Sequence, residues 1–512
     1  MVKRNRNPKK SEAHSKFAQQ SFRLDSNGMR GAQVSLLVRG LAGLSFVIGI
    51  AMLLPGIVAL IFGESSFEFF IPGISLCILS APFLAMTRHL SGKLSIRGSF
   101  LLVTGAWIIA CSAGSLPFFL TGVTPKVADA LFESASGFTT TGSSVFADVE
   151  SLPRSILFWR SLTHWIGGMG IIVLAVAVLP FLNISGYHLF QAEAPGMEVE
   201  RLVPRISHTA RYLWIIYVVL TGIEILLLIA GGMGLFDAVN HAFATLATGG
   251  FSTKNSSISA FDSPYIEWVI TVFMFLSGIN FALYYRAVIG DFQSIKRNSE
   301  LKAYVTLFLL SMLAVALSLR ANFTYTSMGE TVRKAGFQVA TLMTSTGFST
   351  SNFDVWPGIA RGVLLLMLFI GGCAGSTSGG IKVVYVVVMA KLVPLHLRRL
   401  IYPQGVFVPQ FNRFPIAERT IIAISGFIFL YISVVLLSTV VVMSSGADTE
   451  TALTASLAAI GNIGPGFAGV GPSTHFGWLP SFVKIWLSLV MIIGRLEVYA
   501  ILVAIRALLR SR

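Results

Sequence analysis

Ten stretches of about twenty apolar residues punctuate the 512-residue chain, and twenty residues is roughly the length a helix needs to cross the hydrocarbon of a bilayer. Uncharged runs occupy 40–63, 69–87, 98–125, 161–192, 268–285, 303–319 and 420–447. Three more runs carry charge within them: 212–236 holds Glu224, 362–390 holds Lys382, and 485–505 holds Arg495 and Glu497. Backbone in lipid must satisfy every N–H and C=O internally, so these runs predict helices. Only 12% of residues are charged, about half the soluble norm of roughly 25%, and mean hydropathy is +0.75. The 48 glycines are unexpected, because irregular backbone at membrane depth is tolerated only where protein or water covers it.

Charge sets the orientation. With the N-terminus placed inside and the spans alternating, the inner segments 1–39, 88–97, 184–211, 286–302, 391–419 and 506–512 hold 27 of the 38 Lys and Arg, and the outer segments nine. That bias follows the positive-inside rule and predicts both termini in the cytoplasm. The net charge of +15 is then a product of topology, and no nucleic-acid partner is expected. Cys77, Cys111 and Cys373 lie in apolar stretches without CxxC spacing or a His cluster, which predicts buried free thiols rather than disulfides or zinc. Residues 1–39 show no removable signal peptide. Their nine basic against two acidic residues predict a cytoplasmic tail that either touches anionic lipid or is disordered.

The glycines follow a pattern. Four outer connections contain a short, moderately apolar segment running into Gly, Thr and Ser: Val127 to Gly142, Leu235 to Gly249, Phe337 to Gly347 and Ala452 to Gly464. The closing glycines are 107, 98 and 117 residues apart. Each unit is a span, a short helix of about ten residues, a glycine turn and a second span. Each unit crosses twice, so all four insert in the same orientation, and parallel repeats are related by an axis along the membrane normal. The expected fold is therefore an all-α integral membrane protein of ten transmembrane helices. Eight of them form four parallel M-P-M (helix–pore helix–helix) repeats around a central pore. The expected segments are a tail at 1–39, two N-terminal spans at 40–97, and pore repeats at 98–200, 201–299, 300–410 and 411–512.

The short segments are too brief to span, so they are expected to re-enter and line water, their C-terminal ends turning partial negative charge toward the axis. Glycine turns let successive carbonyls face one side, and rings of carbonyls can replace the water around a dehydrated ion. These turns carry no carboxylate ring, which favours K⁺ or Na⁺ over Ca²⁺.

These residues resemble the Trk/Ktr/HKT superfamily of potassium transporters, in its bacterial TrkH type with two extra N-terminal spans. The marks are Phe138–Gly142, His164–Gly170, Glu193–Gly196, Thr248–Thr253, Thr346–Thr350, Gly371–Lys382 and Asn462–Gly466, and the likeness covers about residues 35–510. The resemblance implies that K⁺ is held by the two residues before each filter glycine: Thr140 and Thr141, Ala247 and Thr248, Ser345 and Thr346, Asn462 and Ile463. The filter glycines are then Gly142, Gly249, Gly347 and Gly464. Gly142, where Na⁺ transport in the superfamily goes with Ser, supports K⁺. The fourth turn departs from the others through Asn462, Ile463 and Pro465, so fourfold symmetry is expected to be approximate.

Gly371, Gly372, Gly375, Gly379 and Gly380 place five glycines in ten residues, each costing about 1 kcal/mol in a helix relative to Ala. This segment, with Ser376 and Lys382, predicts either a mobile loop obstructing the path below the filter or glycine packing against a neighbouring helix; the resemblance implies a gating loop here. Arg495 sits near the middle of the last span, where charge costs about 2.5–3.5 kcal/mol and usually faces a cavity or partner. Residues two apart do not share a helix face, so Glu497 is poorly placed to pair with it. The resemblance puts Arg495 beside the gating loop; a structural ion pair is the alternative. Lys382 either braces the loop or snorkels to the cytoplasmic edge, and Glu224 is expected to be paired structurally.

Enzyme chemistry is not expected. Gly464–Gly469 matches GxGxxG by letters but follows no strand, Gly375–Lys382 lacks the P-loop ending, and HExxH and GxSxG are absent. No cofactor is implied beyond K⁺ as the bound and transported ion. The resemblance implies a homodimer in the bacterial inner membrane with a cytosolic nucleotide-binding regulatory subunit of the TrkA/RCK type. Inner loops 184–211 and 391–419, with Arg201, Arg205, Arg398 and Arg399, are either docking surfaces or a solvated basic face. A proton- or sodium-coupled secondary transporter of another cation, such as sodium, is the alternative function.

Overall fold

The structure is a computed structural model that describes residues 8–87, 89, 94–177, 202–405, 407–412 and 414–509. Glu193–Gly196, Arg201, the Arg205 side chain and tail residues 1–7 lie outside the described residues. The chain opens with α1 (Pro8–Phe62) and α2 (Phe67–Met86), then α3 (Ile96–Gly114), α4 (Leu116–Leu120), α5 (Val127–Phe138) and α6 (Arg154–Ala177). It continues through α7 (Leu202–Ala230), α8 (Leu235–Leu246), α9 (Pro264–Ser277), α10 (Phe281–Val288) and α11 (Phe292–Arg297). Next come α12 (Ser299–Ala321), α13 (Met328–Met343), α14 (Gly358–Phe369) and α15 (Val383–Ile401). A small hairpin, β1 (Gln410–Phe411) and β2 (Phe414–Pro415), precedes α16 (Glu418–Met443), α17 (Thr449–Gly461), α18 (Ser481–Arg495) and α19 (Tyr499–Leu509).

Among the described residues six helices are long and apolar enough to cross a membrane, or eight when each of two bent pairs counts as one span. The other two expected spans fall on α6, whose end borders undescribed residues, and on α14 and α15, which the glycine-rich segment separates. Leu60, Ile78, Leu226, Leu310, Phe429 and Val440 are exposed on these helices, as apolar side chains facing lipid should be. α1 and α2 approach closely through small residues: a Cβ on Gly49 would stand 2.6 Å from the Gly73 carbonyl oxygen.

Two spans read as straight from sequence are not. The 268–285 run bends by 93° between α9 and α10, and the 485–505 run bends by 102° between α18 and α19. In the first, the Asn280 side chain accepts the Ala282 N–H at 2.9 Å and starts a new helix. In the second, Glu497 and Val498 both hold φ of +53°, a region costly for non-glycine residues. Hydropathy measures length but not direction, so neither bend shows in it. The basic tail likewise continues the first span as helix from Pro8 onward.

α5, α8, α13 and α17 are short and deeply buried, with Asp129, Asp237, Glu330 and Glu450 in their first turns, where carboxylates suit the helix dipole. Ion pairs tie them to neighbouring units. Glu267 of α9 meets Arg333 at 2.8 Å and Lys334 at 2.7 Å on α13, Arg361 of α14 meets Glu450 of α17, and Lys484 of α18 meets Asp129 of α5. Arg160 of α6 pairs with Glu133 of α5 at 2.8 Å and donates to the Ser252 carbonyl at 3.2 Å. Five of the nine basic residues expected on the outer side thereby join one unit to the next.

Candidate functional site

Each short helix ends in the same backbone figure. Thr140, Thr248, Ser345 and Asn462 take φ of +54°, +56°, +55° and +51°. The next N–H in each case reaches back five residues: Thr141 to Ser136 at 2.8 Å, Gly249 to Ala244 at 2.8 Å, Thr346 to Thr341 at 2.8 Å, and Ile463 to Ala458 at 3.0 Å. A left-handed glycine follows: Gly142, Gly250, Gly347 and Gly464, with φ of +81°, +78°, +86° and +98°.

This equivalence corrects the second turn. Counting from the first glycine of Thr248-Gly249-Gly250 put Gly249 in the ring with Ala247 and Thr248 before it. The structure puts Gly250 in the glycine position, Thr248 in the left-handed position, and Ala247 one step back at the helix end. Two consecutive glycines leave the register open in sequence; φ decides it. The fourth turn, odd in sequence, follows the other three in backbone, because Asn tolerates the left-handed region better than most residues.

The four turns close on one another. A Cβ on Gly142 would overlap the Gly249 carbonyl oxygen, one on Gly250 that of Thr346, and one on Gly347 that of Ile463. The circuit ends where a Cβ on Gly464 would stand 2.9 Å from the Thr141 carbonyl oxygen. The ring thus runs with one hand through the four units, each glycine needed both for its φ and for a neighbour's oxygen. All four glycines line one cavity of about 210 Å³, with Arg160 and His475 on its wall.

The turns are braced in different ways. Hydroxyl pairs hold the first and third, Thr139 with Thr141 at 2.8 Å and Thr344 with Thr346 at 2.7 Å. In the second, Ala247 and Gly249 have no hydroxyl, and the His164 ring fills the space: a Cβ on Gly249 would stand 2.5 Å from it. His164 Nε2 accepts the Phe251 N–H at 3.2 Å, so Nδ1 carries the proton donated to the Gly137 carbonyl at 2.8 Å. Seven residues before each left-handed position, a polar side chain reaches the loop beyond the turn in three units. Glu133 accepts the Val145 N–H at 3.0 Å, His241 meets Ser252 at 2.9 Å, and Gln338 donates to the Ser351 carbonyl at 3.4 Å. The fourth unit has Ala455 there. Sequence reading missed Glu133, His164 and His241. For Glu133 and His241 the signal was a polar residue recurring at one offset in three of the four short helices, whereas His164 lies on α6 and has no such signal.

Residues 370–382 form a closed loop between α14 and α15, the Gly371 N–H meeting the Ile381 carbonyl at 2.8 Å and the Ile381 N–H that of Phe369 at 3.1 Å. It lies against the ends of the short helices. The Gly379 N–H donates to Ser345 Oγ at 2.6 Å, Thr377 Oγ1 donates to the Leu246 carbonyl at 3.0 Å, and a Cβ on Gly379 would overlap the Gly461 carbonyl. The bend of the second unit holds it too, through Cys373 N–H to the Gly278 carbonyl at 2.8 Å and Phe281 N–H to that of Gly375 at 3.1 Å. Ser376 Oγ folds back on the Cys373 carbonyl at 2.6 Å, and the Gly372 N–H meets Ser378 Oγ at 2.7 Å. Gly380 takes φ of +69°.

Charged groups surround this loop. Arg495 is at the end of α18 rather than in mid-span, and its Nη1 donates to the Thr377 carbonyl at 2.7 Å. Lys382 is buried and its ammonium reaches the Ser378 carbonyl, so it braces the loop. Glu497 accepts from Tyr385 at 3.2 Å, and Glu300 of α12 accepts the Ala374 N–H at 2.6 Å. Glu224 is not paired as expected. It lies near Thr245, whose hydroxyl donates to the His241 carbonyl instead, and neither carboxylate oxygen receives a hydrogen bond among the described residues. Nor do the described residues hold a His, Cys, Asp and Glu cluster fit for a metal ion. What the ring offers is neutral carbonyl oxygen, which suits a weakly hydrated monovalent cation.

Residues 65–512 match the TrkH family, described as cation transport proteins. The chain is 38% identical over 458 residues to the Trk system potassium uptake protein TrkH of Escherichia coli K12, covering 88% of this chain and 94% of that protein. It is 35% identical over 477 residues to TrkH of Halomonas elongata, covering 91% and 97%. The crystal structure of the potassium transporter TrkH from Vibrio parahaemolyticus superposes with a TM-score of 0.84 at 34% identity, covering 92% of this chain and 98% of that one.

Proposed function

The chain belongs to the TrkH family of cation transport proteins, and from that premise we propose that it takes up K⁺ across the bacterial cytoplasmic membrane through the ring of four turns. The observation that carries this is the closed circuit of glycine and carbonyl contacts from Gly142 round to Thr141. The K⁺ ligands are the carbonyls of Thr140 and Thr141, Thr248 and Gly249, Ser345 and Thr346, and Asn462 and Ile463. Four M-P-M repeats and two N-terminal spans, ten crossings with both termini cytoplasmic, make up this proposal.

The loop from Gly371 to Lys382 is the gate. It lies against the inner side of the ring, and the Arg495 charge holds it through Thr377 while repelling an arriving cation. The chain acts as the translocating subunit of a Trk-type system, as a homodimer with a separate cytosolic nucleotide-binding subunit; the relatives' shared name, a Trk system protein, supports a multi-component assembly.

One observation favours a second reading, proton-coupled transport: Glu224 is fully buried without a hydrogen-bond donor among the described residues. Reconstitution in liposomes separates the two. K⁺ influx without any counter-gradient, exceeding Na⁺ influx, is expected. Equal K⁺ and Na⁺ fluxes overturn the selectivity, and influx that appears only with an imposed proton gradient favours coupling through Glu224.

A further inference from the structure

The ring has one seam unlike the other three. Between the first and second, second and third, and third and fourth turns, a glycine presses closer to its neighbour's carbonyl oxygen than Gly464 does to that of Thr141. At this looser seam, and at no other among the described residues, a side chain crosses from one turn to the next. Asn462 Nδ2 donates to Thr141 Oγ1 at 2.9 Å and to the Met491 carbonyl of α18 at 3.0 Å. The carbonyl of Met491 can only accept, so the nitrogen must face it and the amide orientation is set.

The bridge feeds a directional chain. Thr139 Oγ1 gives its proton to the Ala135 carbonyl at 2.6 Å, so in the Thr139–Thr141 pair it is Thr141 that donates. The remaining acceptor capacity of Thr141 receives Asn462. In the third turn the same order holds, with Thr344 on the Ala340 carbonyl at 2.8 Å and Thr346 on Thr344. There the residue matching Asn462 is Thr248, whose hydroxyl turns to the Ala247 carbonyl at 2.6 Å. Among the described residues only the seam between the fourth and first turns is crossed by side-chain hydrogen bonds, from Asn462 on one side and on the other from Ser143, whose hydroxyl donates to the Gly464 carbonyl at 2.9 Å.

The geometry points to the Asn462 carboxamide as a positioning residue that sets the width of the ring at its closing seam, and with it the preference for K⁺ over the smaller Na⁺. This rests on the ring being the ion path. The amide is not an ion ligand. It holds the Thr141 turn at a set distance from the fourth turn, so the carbonyls there cannot draw inward to coordinate a smaller ion.

Asn462→Gly is the direct test, because glycine keeps the left-handed backbone without strain and deletes the amide. In proteoliposomes of the full chain, with K⁺ and Na⁺ competing, the K⁺ to Na⁺ flux ratio should fall about tenfold, the scale of one or two buried hydrogen bonds. Thr141→Val removes the other end of the bridge and should shift the ratio the same way, and the double variant should be no worse than the larger single one. A wild-type ratio in Asn462→Gly, or full additivity in the double, overturns the proposal. If Asn462→Gly does not insert, Thr141→Val decides alone, an unchanged ratio counting against the bridge. Gly347→Ala separates this from the underlying reading. If it abolishes flux while Asn462→Gly keeps its ratio, only the bridge falls; if neither variant alters flux or ratio, the ring is not the path.

Discussion

The four-turn ring and the loop at 370–382 are both glycine-rich and both lie at the ends of the short helices, yet they are held in different ways. Each ring turn is built from its own short helix: the N–H after the left-handed residue bonds five residues back within the same unit. The loop has bonds of its own at its neck and through Ser376, Ser378 and Lys382. Its remaining anchors belong to other elements: Gly278, Leu246, Ser345, Glu300 and Arg495. Each ring turn is locked by its own short helix, while the loop needs anchors on other elements in addition to its own bonds. A self-braced turn keeps its shape as surroundings move, whereas a loop pinned from outside is released when its pins shift. Under the proposed function, one composition thus serves selection and gating.

The sharpest attack on this contrast is a methyl group in the ring. Gly347→Ala forces a left-handed Ala and an overlap with the Ile463 carbonyl, strain of about 1–3 kcal/mol before any oxygen moves. K⁺ flux in proteoliposomes should fall by roughly 10- to 100-fold; wild-type flux would refute the ring geometry. Next is Arg495→Ala, which unpins Thr377 and removes the repelling charge. Flux should rise, by about tenfold for one charge-assisted hydrogen bond, and unchanged flux would mean the loop does not gate.

The smallest effect lies outside the membrane. Asp354 accepts the Ala468 N–H at 3.3 Å, and burial pushes its carboxyl above the usual value, with the Ala468 N–H and Arg361 pulling it partly back. A raised value means the folded protein binds that proton more tightly than the unfolded chain. Its stabilising contribution is therefore present below the ordinary carboxylate range and fades as pH rises through the folded value. Asp354→Asn should flatten the thermal stability profile across that window in detergent and leave K⁺ flux unchanged. A steeper profile would reverse the sign.

Much of this was legible in the chain because the units repeat. Four glycine-ended segments at similar spacing located the turns. Three features were hidden for stated physical reasons. Gly249 and Gly250 are indistinguishable by residue type, and only the left-handed φ of Gly250 and its contact with Thr346 separate them. The bends at Gly278–Asn280 and Leu496–Val498 leave hydropathy nearly untouched. Glu133 and His241 show only as a polar residue recurring from unit to unit, and His164 acts on a turn of another unit, which no local pattern records.

The handed circuit also bears on how such a chain is made. Its last contacts, Asn462 to Thr141 and Ser143 to the Gly464 carbonyl, each join residues 321 apart in sequence. A ribosome delivering the chain from its N-terminus places three turns in the membrane before the fourth exists. Until then the first turn lacks the neighbour that completes its side of the circle. The nascent protein therefore spends most of its synthesis without a closed ring, and the circuit is complete only when the final unit folds into place.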